Sequence, residues 1–337
     1  MNAKVFLATT DQGLARVIQN MDDDWSIEFL LKDQDIRCLA SDPLNPSIIY
    51  AGTQGNGVLR SSDQGKNWTS AGMSGKMVKS LAVSPHIPGQ VYAGTKPAGI
   101  YVNQNGENEW MELDSFQKIR GRRWWRSPAE PPDWRAYVMG LSISPTDADV
   151  IAAGIEFGAV VRSIDGGKTW SNHRKAAIRD CHSLTFHARD GNWVYEAGGG
   201  GAAYSRDGGA TWQRPKSGLD RRYGWACAAD SGKPEVWYIS ASPFFSGKSF
   251  FEPAAHVYGR SNAAIYRSSG GAAWEKLGGG LPDPMDYMAN ALVTDPNISG
   301  QLYAGFANGE VWHSTDYGDN WQKLTFNLGA IYKMLML

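Results

Sequence analysis

The stretch Ser163-Ile164-Asp165-Gly166-Gly167-Lys168-Thr169-Trp170 decides the fold, because it recurs along the chain. Ser61 to Trp68, Ser205 to Trp212 and Ser314 to Trp321 repeat its form, Ser-x-Asp-x-Gly-x-x-Trp. Ser268 to Trp274 is a copy shortened by one residue, and degraded copies end at Trp25 and Trp110. The seven tryptophans Trp25, Trp68, Trp110, Trp170, Trp212, Trp274 and Trp321 are spaced by 43, 42, 60, 42, 62 and 47 residues. Self-similarity at such a period marks one supersecondary unit repeated into an array.

Each unit carries four short β patterns. In the second unit they are 36–41, 48–53, 57–61 and the run that starts at Trp68, separated by Asp42-Pro43, by a glycine-containing turn and by the box itself. Alternation, β-branched content and Gly/Pro punctuation support each strand. Four strands per unit of about 43 residues predict a β-propeller blade. The N-terminus opens on a second-strand pattern, 5–9, with no first strand before it. The missing strand lies at the other end, 331–337. The prediction is therefore all-β: a seven-bladed β-propeller with four-stranded antiparallel blades, residues 1–337 in one domain, the C-terminal strand closing the first blade. Closure of this kind removes an exposed sheet edge.

Composition agrees. The 337 residues include 39 glycines and 14 tryptophans, which suits short strands and tight turns. A net charge of -1 argues against a general polyanion binder. Cys38, Cys181 and Cys227 form no disulfide framework and have no zinc-ligand spacing. No apolar run is long enough to span a bilayer, so no membrane partner is expected. The opening apolar run is too short for a signal peptide, so a cytoplasmic location is expected, with a trimmed leader as the open alternative.

The boxes resemble Asp-boxes, also called bacterial neuraminidase repeats, and the resemblance covers the whole chain as a repeat pattern. It implies a propeller in which the box is a structural turn between the third and fourth strands. Such boxes occur in sialidases, xyloglucan-cleaving glycoside hydrolases, sortilin-type receptors and a photosystem II assembly factor. The sialidase resemblance would bring an Arg-Ile-Pro signature, which this chain lacks. In the boxes the carboxylates of Asp63, Asp165, Asp207 and Asp316 are expected to accept turn N–H bonds, and the tryptophans to pack between sheets.

Function is then expected on the face opposite the boxes. Two overlong connections, 115–136 and 243–262, are read as loops over that face, where long loops on a rigid scaffold often carry function. Aligning the first strands gives a ring of equivalent positions: Lys333, Arg37, Lys79, Met139, His182, Trp225 and Asn290. Glu156 is the carboxylate of the aligned second-to-third-strand loops, and Asp180 and His182 open the next blade. These three are the candidate catalytic residues, since paired carboxylates with an imidazole suit general acid/base work. The candidate ligand-binding residues are Arg37, Lys79, Arg122, Arg123, Trp124, Trp125, Arg126, Tyr137, Arg222, Tyr223, Trp225 and Lys333. Aromatic faces suit sugar rings and arginines suit anions, so a small polar or anionic ligand, with carbohydrate possible, is the expected partner. For each of these residues the plainer alternative is packing or solvation, with arginines stacked on tryptophans. The apolar Phe244-Phe245 and Phe250-Phe251 suggest a lid or a contact surface. No cofactor and no metal is assigned, because a single histidine beside Asp180 carries little weight. A non-enzymatic scaffold gripping a protein partner through the arginine-rich face is the competing function. Nucleic acid is disfavoured by the net charge and by the absence of a motif.

Overall fold

The computed structural model describes residues 4–20, 24–128, 132–243 and 259–337. Seven antiparallel sheets carry the strands in chain order. The first sheet runs Ile331–Met336, Val5–Thr10, Gly13–Gln19, Trp25–Leu30, so the C-terminal strand occupies the inner position of the first blade. Leu335 pairs with Leu7 and Met334 with Ala8. Ile331, Met334 and Met336 are buried against Phe6 and Tyr303. The inner strands of the other blades are Ile36–Asp42, Met77–Val83, Val138–Ile143, Cys181–Phe186, Tyr223–Ala229 and Ala289–Thr294.

Five sheets have four strands, and the fourth and fifth have three. In those two the outer edge is reduced to isolated bonds. Ser171 N–H donates to Arg162 O at 2.8 Å, and Tyr204 exchanges bonds of 2.9 and 2.8 Å with Gln213. The local sequence explains the loss. Pro215 has no N–H to extend the fifth edge, and in the fourth the His173 ring takes the Val160 N–H at 3.1 Å.

The boxes are turns, as expected. Ser163 Oγ donates to Asp165 Oδ1 at 2.8 Å and accepts from Gly167 N at 2.8 Å, while Asp165 Oδ1 accepts from Thr169 N at 2.8 Å. The same three bonds recur at Ser61, Ser205 and Ser314. The tryptophan then turns inward: Trp212, Trp274 and Trp321 are buried, and Trp274 meets Trp237 edge-on at 4.7 Å. In five blades a box N–H also donates to the turn joining the first two strands, as Gly166 N does to Asp149 O at 3.0 Å and Gly208 N to Asn192 O at 2.9 Å. Both kinds of turn therefore share one face.

Blade packs on blade through the second strands. At Gly94 an added Cβ would sit 2.6 Å from Val138 Cγ1, so only glycine lets the next inner strand approach. The first long insert packs on the rim through Phe116, which lies between Trp125 at 5.8 Å and Trp170 at 5.5 Å. Of the second insert, residues 244–258, with Phe244, Phe245, Phe250 and Phe251, lie outside the described residues. Among the described residues, no helix is long and apolar enough to cross a membrane.

Candidate functional site

The register of the inner strands builds the site. In each of them the pairing with the second strand skips near the start of the inner strand, which is a β-bulge; the second blade has a further shift at Ser41/Asp42. The skipped residues are Arg37, Lys79, Met139, His182 and Asn290 in blades two to five and seven, Trp225 with Ala226 in blade six, and Tyr332 in blade one. A bulge puts an extra residue on one strand and re-aims its side chain. Repeated seven times, it turns a ring of residues toward the mouth of the channel.

Arg37, Lys79, Tyr137, Met139, Trp225, Asn290, Tyr332 and Lys333 line a cavity of 150 Å³ there. All the aligned ring residues except His182 are in its wall. Arg37 is held by Asp35 at 2.5 Å. Lys79 is buried, with its ammonium 4.8 Å from the centre of the Tyr137 ring. Three cations and three aromatic rings thus converge on one small space.

Behind the wall stand Glu156, Asp180 and His182, all buried. Glu156 follows the strand Val150–Ile155, and Asp180 and His182 flank the start of Cys181–Phe186 in the next blade. His182 Nε2 lies 3.5 Å from Glu156 Oε2 and 3.3 Å from Asp180 Oδ1. Its Nδ1 is 2.7 Å from Gly224 O. Its ring sits between Tyr223 and Trp225, each 4.8 Å away between centroids. Nε2 and both Asp180 oxygens make no hydrogen bond. The carboxylate distances are short enough for one, but the alignment is not. Burial raises the Glu156 carboxyl above the ordinary range, against the pull of His182. Burial alone would lower the imidazole, but Glu156 and Asp180 outweigh it and raise it. The charge on Glu156 and the charge on His182 therefore each depend on the other.

Other candidates are placed elsewhere. Arg122 donates to Ala98 O and lies 5.9 Å from the rings of Phe116 and Trp125, a packing role. Arg123 stacks 5.2 Å from Trp124, and Arg126 pairs with Arg135 across a β-bridge. Trp124 and Trp125 line a separate groove of 520 Å³ with Arg120, Phe157, His173 and Arg179. The insert reaches the mouth at Asp133, whose backbone oxygen accepts from Lys96 at 3.0 Å. Tyr223 backs the imidazole without lining the cavity, and Arg222 is exposed.

Two residues escaped the sequence reading. Tyr332 is the bulged residue of the first blade, next to the aligned Lys333. Glu196 is fully buried, accepts Ile178 N–H at 2.8 Å and is pushed by burial up to about 8. A signal for it existed. It stands where Ala51, Ala93 and Ala304 stand in other second strands, so it breaks the repeat.

Comparison with known proteins fits this geometry. The BNR/Asp-box repeat family matches residues 203–214. A xyloglucanase of Paenibacillus sp. is 24% identical over 215 residues, covering 59% of this chain and 16% of that enzyme. An ancestral GH74 enzyme has a TM-score of 0.61 at 18% identity, covering 90% of this chain and 38% of its own. A structure of YCF48 bound to D1 peptide has a TM-score of 0.53 at 14% identity, covering 87% and 82%. The chain therefore spans well under two thirds of the two enzymes it resembles, and likeness at these identities speaks to fold. With its recurrent boxes, seven sheets and closing strand, the chain is a seven-bladed β-propeller that carries an Asp-box repeat at 203–214.

Proposed function

We propose that the protein binds a small anionic or polyhydroxylated ligand, an acidic sugar above all, at the channel mouth and acts on it as a glycoside hydrolase or lyase. The observation that carries this reading is the convergence of Glu156, Asp180 and His182 behind a cavity walled by Arg37, Lys79 and Lys333. The cations neutralise a carboxylate, and Tyr137, Trp225 and Tyr332 offer faces to a sugar ring. Two carboxylates and an imidazole can pass a proton to or from a glycosidic oxygen or a carbon next to a carboxylate. The xyloglucanase relative makes carbohydrate the class to screen first. Glu156→Gln and Asp180→Asn, made separately and tested on glycosides and uronates, are each expected to lose activity by about 100-fold or more. Unchanged turnover in both would sink the assignment.

A second reading rests on a different surface. Trp124 and Trp134 of the insert are 73% and 51% exposed, beside Arg123 and Arg135. Such a face suits a protein partner, as in a scaffold. Replacing both tryptophans by alanine would weaken partner capture under this reading and leave turnover at the mouth intact.

A further inference from the structure

We propose that Glu156, Asp180 and His182 form a binding site for one divalent first-row transition-metal ion. The site concerns the same trio but does not require that the mouth turn over a substrate.

Gly224 O can only accept, so the 2.7 Å contact fixes the proton of His182 on Nδ1. The lone pair of the neutral ring is then on Nε2, and that atom faces Glu156 Oε2 at 3.5 Å and Asp180 Oδ1 at 3.3 Å. Three electron-rich groups thus confront one another in a buried space, where uncompensated charge is costly. A positive centre among them resolves the conflict. A second proton on the ring is one candidate, but it fits poorly. An N–H on Nε2 lines up with neither carboxylate, and both oxygens of Asp180 are left without a hydrogen bond.

A metal ion fits the same positions better. Bonds of about 2.1 Å at tetrahedral angles hold two donors roughly 3.4 Å apart, and the two observed separations from Nε2 are 3.5 and 3.3 Å. One donor atom from each residue lies within 4.8 Å of the others. The third edge, between the carboxylates, lies within the same 4.8 Å limit and can adjust as an ion draws them together. One imidazole nitrogen with two carboxylate oxygens suits manganese, iron, cobalt or zinc better than magnesium or calcium. Two carboxylates balance the divalent charge, which a buried site requires.

The surroundings support the ring as a ligand. An imidazole that ligates through one nitrogen usually donates from the other to a carbonyl or carboxylate, as here to Gly224. Tyr223 and Trp225 hold its plane between them. The Tyr137 hydroxyl bonds Glu156. Because Trp225 and Tyr137 also wall the mouth cavity, an ion at the trio would stand beside any anion held by Arg37 and Lys79.

The test uses untagged, metal-stripped full-length protein titrated with Co²⁺ and Zn²⁺. One ion per chain by calorimetry, with a visible cobalt band typical of a low-coordinate nitrogen and oxygen site that Zn²⁺ abolishes, is the expected result. His182→Gln and Asp180→Asn should each weaken binding by about 100-fold or more, since changes one shell further out already cost 10–100-fold. His173→Asn and His313→Asn should leave it unchanged. If a trio variant fails to fold by circular dichroism, the wild-type cobalt band and stoichiometry decide. No stoichiometric band, or binding that survives the loss of His182, overturns the proposal. Ion binding without turnover on any glycoside or uronate supports the metal site and removes the enzyme. Turnover in protein that binds no ion does the reverse.

Discussion

On the box face, Ser61, Ser163, Ser205 and Ser314 each donate to an aspartate two residues on, at 2.8 Å in every case. On the mouth face, the bulges of the seven inner strands present Tyr332, Arg37, Lys79, Met139, His182, Trp225 and Asn290, no two of one type. The backbone repeats equally on both faces, but only the box repeats its side chains. A turn has one good solution, set by the donors it must satisfy, and four blades share it bond for bond. A bulge constrains where a side chain points and not what it is. Sameness marks scaffold here, and divergence at a shared backbone position marks the candidate site.

Four experiments test this contrast. The largest effect is expected from deleting 331–337. That removes the inner strand of the first blade, strips cover from Phe6 and Ala8, and opens the inner edge of Val5–Thr10. Burial of Ile331, Met334 and Met336 is worth about 2 kcal/mol each, so the deletion should abolish cooperative thermal unfolding. A melting temperature within a few degrees of the intact chain would refute closure. Next comes Gly94→Ala, which presses a methyl group on Val138. It should cost about 1–3 kcal/mol in urea unfolding, whereas alanine at Gly75, where a Cβ meets nothing, tests only the backbone cost of its positive φ.

A smaller loss, about 1 kcal/mol, is expected for Asp207→Ala, which unties Thr211 and Ser205. It carries a pH signature. Hydrogen bonds to the turn hold the carboxyls of Asp165, Asp207 and Asp316 below the ordinary value of 3.8. A carboxylate with a depressed folded pKa stabilises above its unfolded pKa, and this stability is lost as pH falls through the folded value. Acid unfolding should therefore begin near pH 4 and deepen below it. Asp207→Asn should flatten that slope, and an unaltered acid profile would count against the network. The smallest effect, or one of opposite sign, is expected for Asp180→Asn. It neutralises a buried carboxylate that has no hydrogen bond, so the melting temperature should hold or rise while function at the mouth is lost. A large destabilisation would make Asp180 a structural residue and blur the two faces into one.

Much of the site was legible in the chain. The box tryptophans count the blades, the blade alignment picks out the ring, and all but one of the ring residues line the mouth cavity. His182 is the exception, covered by Tyr223 and Trp225, because a bulge sets direction but neighbouring rings decide exposure. The insert was legible as a length, but its contacts were not. Its arginines and tryptophans have the composition of a binding loop, yet Arg122 is tied to Ala98 O and Trp125 to Phe116, and the cleft they form lies apart from the channel. Glu196 was missed because one substitution inside a regular strand is a weak signal beside a recurring motif.

By itself, the sequence determined the blade count, the four-strand unit, the closing strand and the face to inspect. Those follow from local rules: turn donors that need partners, alternation at a period of two, and an interval that repeats. Tertiary packing alone brings Glu156 to Asp180 and His182, buries the three, and turns the imidazole Nε2 toward two carboxylates. Those facts belong to two neighbouring blades and a carbonyl from a third. Their relative positions depend on how sheets pack around an axis, and no spacing along one strand records it.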